Sequence, residues 1–217
     1  MRKTLFIAAL VAALAASASA QDIRSSDTIN LFISPCGEPF EAPKNAPYPI
    51  VNWFNGADAN HDGKLDITEM RDDAARFFQF LDRNHDGVID SQEVSFYEYR
   101  IVPEILTPPT SALQTGIVRV ALQTPGDIAP VSPEAPGSNN IDKQELNAMQ
   151  GAVFYSLFRE PEPVRSADRN FDYRITPKEF LDLSDRHFKA LDVNNQGYLT
   201  LAQLPKTEAE RRSKAHR

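Results

Sequence analysis

Residues 58–69 read DANHDGKLDITE, and 24 residues further on residues 82–93 read DRNHDGVIDSQE. Both stretches carry acids at positions one, five, nine and twelve, asparagine at position three and glycine at position six. A second couple keeps the same period, with DRNFDYRITPKE at 168–179 and DVNNQGYLTLAQ at 192–203, and lies 110 residues after the first. The chain is a two-loop unit written twice.

The residues around each loop have helical spacing. Met70, Ala74, Phe77 and Leu81 share one face after the first loop, as do Phe180, Leu183, His187 and Leu191 after the third. Phe54, Phe78, Val164 and Phe188 each stand four residues before the first Asp of a loop. Position eight is always aliphatic, as Leu65, Ile89, Ile175 and Leu199. A buried aliphatic there lets two loops join through a short β-bridge. The tandem order predicts that loop one pairs with loop two, and loop three with loop four.

A twelve-residue acidic loop between two helices resembles the EF-hand family, and the first two loops match its D-x-N-x-D-G-x5-E pattern without a gap. The resemblance implies calcium as cofactor, because that hard cation takes six to eight oxygens and a tightly curled loop can supply them. In loop one it implies Asp58, Asn60, Asp62, the Lys64 carbonyl, Asp66 through water, and bidentate Glu69. In loop two the matching set is Asp82, Asn84, Asp86, the Val88 carbonyl, Asp90 and Glu93. Gly63 and Gly87 take the sharp turn. His61 and His85, at position four, point away from the ion under the same pattern.

Loop three keeps a full set in Asp168, Asn170, Asp172, the Arg174 carbonyl, Thr176 and Glu179, but Tyr173 replaces the turn glycine. A non-glycine residue held left-handed costs about 1–3 kcal/mol. That weakens ion binding roughly tenfold or more without abolishing it. Loop four keeps Gly197 but has Gln196 at position five and Gln203 at position twelve, leaving Asp192 as its one anionic ligand. An amide offers one neutral oxygen where glutamate offers two charged ones. Loop four is expected to serve as a structural partner for loop three. Proline at position two and closely spaced hands would favour lanthanides within this family; Ala59, Arg83 and the 24-residue period favour calcium.

The fold class expected is all-α: two EF-hand pairs joined by a Pro-rich linker. Residues 1–20 have the layout of a signal peptide, with Arg2 and Lys3, an apolar run from Leu5 to Leu14, and the small residues Ala18-Ser19-Ala20. Cleavage there implies a secreted or periplasmic protein, and the apolar run is too short to span a membrane. The remaining segments are a Pro-rich arm (21–48), the first pair (49–102), a linker (103–138), a helix plus the degenerate pair (139–206) and a charged tail (207–217). Seven of the sixteen prolines lie between Pro103 and Pro136, where Ile117 to Leu122 is a candidate strand. Asp142 and Glu145 open a helix bearing Leu146, Met149, Val153, Phe154 and Leu157.

Loss of the leader takes the formal charge from −7 to −9. An acidic surface of that kind argues against nucleic acid and anionic lipid. The lone Cys36 has no second cysteine to bridge. Nothing resembles a nucleophile elbow, H-E-x-x-H or a Cys/His cluster, so no enzyme is expected. Calcium ions are the expected partners. The alternative is a sensor gripping an unidentified protein partner through Phe77, Phe78, Phe80, Phe96, Tyr97 and Tyr99, since only Met70 and Met149 are available for a Met-rich groove.

Overall fold

The structure is a computed structural model and describes residues 29–106 and 151–215. The signal-peptide, Ile117–Leu122 and Asp142-helix expectations fall outside those residues, except that Gly151–Phe154 form a short 3-10 turn.

Helix α1 (Ile50–Ala57) leads into loop one. Strand β3 (Leu65–Asp66) closes that loop, and α2 (Ile67–Leu81) runs on to loop two. Helix α3 (Ser91–Phe96) follows and widens into a π-helical turn over Tyr97–Ile101. In the second half, α4 (Pro177–Leu191) joins loops three and four, and β4 (Tyr198–Leu199) lies in loop four. Each loop-exit helix begins with a capping box: Asp66 with Glu69, Asp90 with Glu93, and Thr176 with Glu179. The residues at positions nine and twelve thus start the helix as well as line the loop.

The loops do not pair in tandem. Leu65 pairs with Leu199 and Asp66 with Tyr198, joining loop one to loop four. Ile89 and Ile175 exchange both backbone hydrogen bonds at 2.9 Å, joining loop two to loop three. The reason lies in the period. Loops 24 residues apart share one 15-residue helix, which is about 22 Å long and holds them at opposite ends. Each loop therefore takes its partner from the other half.

Helices α2 and α4 pack against each other in antiparallel register. Ser184 donates to the Met70 carbonyl (3.2 Å), Arg71 Nε donates to Asp185 (2.6 Å), and the Phe78 ring meets Phe180 edge-on at 5.7 Å. One buried cluster joins Phe77, Phe78, Leu81 and Ile89 to Ile175, Phe180 and Leu183. A second joins Trp53, Phe54, Leu65 and Met70 to Phe188 and Leu199. Both cores draw on both halves.

The all-α expectation is also corrected by an antiparallel hairpin of β1 (Ile29–Ile33) and β2 (Pro39–Pro43). Strand alternation sends Leu31 and Ile33 into the first core and Phe32 into the second, so β1 ties the two together. Pro39 and Pro43 sit at the ends of β2, where a missing N–H is tolerated. At the turn Gly37 has φ +98, and a Cβ there would lie 2.8 Å from the Tyr97 hydroxyl, which donates to the Gly37 carbonyl. The charged C-terminal tail forms helix α5 (Glu208–Ala215). Thr207 anchors it, bonding the Glu210 N–H and the Tyr48 hydroxyl, and Tyr48 in turn donates to the Leu31 carbonyl.

Candidate metal centres

All four loops are closed by one device. The backbone N–H at position six donates to the position-one carboxylate: Gly63 to Asp58 at 2.9 Å, Gly87 to Asp82 at 3.0 Å, Tyr173 to Asp168 at 2.9 Å and Gly197 to Asp192 at 2.8 Å. Position six is left-handed throughout, with φ +78, +85, +64 and +80 in chain order. Tyr173 therefore makes the turn that a glycine would make. A Cβ at Gly63, Gly87 or Gly197 would meet nothing within 4 Å, so the tyrosine is opposed by its backbone angle alone.

Loops one and two are near copies. Asn60 accepts from the Asp62 N–H and Asn84 from the Asp86 N–H, both at 2.8 Å, which curls the side-chain oxygens inward. Glu69 reaches back across its loop to the Asn60 and Asp66 N–H groups, and Glu93 does the same to Asn84 and Asp90. Asp58, Glu69, Asp82 and Glu93 are all buried, at 4–9% exposure. Among the described residues none of these four carboxylates has a Lys or Arg partner. Buried charges are stable when paired or bound to a metal. The donors here are all oxygen, the set a hard divalent cation takes, so the residues fit calcium.

Asp66 and Asp90 are turned to their helix N-termini, each accepting two backbone N–H groups. That suits ligation through water at position nine. Among the described residues, no three His, Cys, Asp or Glu side chains converge as a metal cluster.

Loop three is more open. The position-five N–H donates to the position-one Oδ1 in loops one, two and four, but that bond has no counterpart at Asp168. Asp168 Oδ1 is buried with no hydrogen-bond partner, an oxygen suited to a cation. Glu179 bonds Thr176 through Oε2 at 3.0 Å and 2.9 Å. Loop four satisfies itself. Gln196 Nε2 donates to Gln203 Oε1 (2.9 Å) and to the Tyr198 carbonyl (3.0 Å). An amide group thus holds the position-seven oxygen that a metal would need.

Of the sensor aromatics, Phe77, Phe78 and Tyr97 are core, Phe96 is half-buried beneath the Arg83 guanidinium, and Phe80 and Tyr99 are exposed. His61 and His85 are exposed. Cys36 is buried, and burial raises its thiol pKa above the ordinary value, leaving it an inert thiol. Among the described residues no helix is long and apolar enough to cross a membrane.

These loops define a helix–loop–helix class of cation-binding protein. Against known protein families, the chain matches the EF hand at residues 50–72 and 74–95. Residues 50–95 are two adjacent EF-hand motifs, consistent with an EF-hand calcium-binding family, and calcium binding is the property this match supports. No curated protein and no solved structure matches the chain.

Proposed function

We propose that this is an exported, non-enzymatic calcium-binding protein in which the ion acts as a structural clamp and modest store. The observation that carries the reading is the cross-pairing: each intact loop is bonded to an imperfect loop from the other half of the chain. An ion that orders loop one or loop two therefore also braces the contact between halves. Free calcium at ten times its dissociation constant stabilises the fold by about 1.4 kcal/mol per site. A sensor that grips a protein partner is the second reading, favoured by the exposure of Phe80 (53%) and Tyr99 (66%).

Calorimetric titration, paired with thermal melting and an apolar-surface dye, tests both. The clamp predicts two tight sites, one of them lost in Glu69→Gln, and a rise in melting temperature without dye uptake. Dye binding that grows with calcium would favour the sensor. No heat of binding at millimolar calcium would refute both.

A further inference from the structure

The first half of loop three holds six consecutive exposed residues, Arg169 to Arg174. Phe171 is 81% exposed and Tyr173 is 69% exposed. Both are left-handed, with φ +60 and +64. The other loops fill the first of these positions with His61, His85 and Asn195 and the second with glycine, types that tolerate positive φ. Only loop three places bulky aromatics at both. At Tyr173 the strain brings little packing in return, because a Cβ at the equivalent Gly63, Gly87 or Gly197 meets nothing within 4 Å. Residues held at positive φ cluster at functional sites, and here loop closure needs the backbone angle but not the aromatic rings. Arg169 and Arg174 flank the aromatics, and among the described residues neither has an ion-pair partner.

We propose that this tip docks on an anionic lipid surface, Phe171 and Tyr173 entering the head-group layer while Arg169 and Arg174 meet the lipid charges. The shape favours a bilayer, which yields around a protruding loop, whereas a protein partner must supply a pocket. Aromatic rings and arginines both favour the membrane–water interface. The acidity of the whole chain does not prevent this. Charges farther than about 8 Å are screened at physiological ionic strength, and within loop three Arg169, Arg174 and Lys178 balance Asp168, Asp172 and Glu179, so that a calcium ion bound there leaves the loop net positive. Calcium in loop three adds positive charge beneath the tip and strengthens docking; that dependence rests on the calcium reading above.

Co-sedimentation with phosphatidylcholine vesicles, with and without phosphatidylglycerol, tests the proposal in calcium and in chelator. The mature chain should pellet with the anionic vesicles at least tenfold more tightly than with the neutral ones. Phe171→His, which restores the residue type of loops one and two, should weaken binding several-fold. Phe171→His with Arg169→Gln should weaken it tenfold or more, while melting temperature and calorimetric calcium stoichiometry are retained. Unchanged pelleting of the double variant overturns the proposal. So does a wild-type chain that stays in the supernatant, as it would if the tip served a protein partner. Equal anionic binding in calcium and chelator upholds the docking and removes only its calcium dependence, which the calorimetry reads separately.

Discussion

At the scale of single residues, Tyr173 and Glu162 give opposite lessons. Tyr173 is legible in the sequence: a glycine position is known from its neighbours, so the departure is visible, and the structure supplies the angle. Tyr173→Gly removes about 1–3 kcal/mol of strain and should tighten the third site roughly tenfold, read by calorimetry on the variant. Equal or weaker binding there would place the handicap in the open geometry around Asp168 instead. Glu162 could not be singled out from sequence, because its pKa depends on what encloses it. Its Oε1 is buried without a partner although the residue as a whole is half-buried. Burial pushes its carboxyl up to about 7; nearby Glu98 adds to this, and the Arg165 N–H bonded to Oε2 opposes it. A folded-state value above the ordinary 4.5 means that folding favours the protonated form. Its contribution is full below pH 4.5 and is lost as pH rises through 7. Glu162→Gln should flatten the fall in melting temperature across that window, and an unaltered pH profile would show that the carboxyl is not enclosed in solution.

At the scale of elements, the two helix–loop–helix motifs over residues 50–95 were legible and loop partnership was not. Carboxylates at fixed offsets announce a metal loop because coordination is local. Pairing is not local, yet the 24-residue period already implied its answer through the length of the shared helix. The hairpin was hidden by Pro39 and Pro43, which suggest an irregular arm but occupy strand ends. Helix α5 was hidden by its polar sequence, although Thr207 and Glu210 have the spacing of a capping box. Loop four yields the test at this scale. Its backbone already has the closed geometry, with Gly197 left-handed and bonded to Asp192 at 2.8 Å. What blocks it is chemistry, the Gln196 amide donating to Gln203 and Tyr198. Gln196→Asp with Gln203→Glu should therefore add one calcium site to the calorimetric stoichiometry. No added site would mean that the loop is set by its β3–β4 bridge rather than by its ligands.

At the scale of the whole molecule, cross-pairing replaces two lobes on a linker with one body whose halves complete each other. Separated, the first half loses the packing of Phe180 on Phe78 and the bridge from Leu65 to Leu199, and the second loses the bridge from Ile175 to Ile89. Burying a side chain such as Phe contributes about 1.5–3 kcal/mol, so losing several at once exceeds the margin of a small domain. The halves made as separate chains, residues 21–106 and 139–217, should each lack a cooperative melting transition. Mixed at equal concentration in calcium, they should associate and regain one, with a midpoint that rises with protein concentration as a bimolecular fold requires. Calcium should promote that association, since the sites in loops one and two adjoin the bridges to loops four and three. Circular dichroism melts of each fragment and of the mixture read the outcome directly. Two fragments that melt independently, with midpoints untouched by mixing, would restore the tandem pairing that the repeat order suggests.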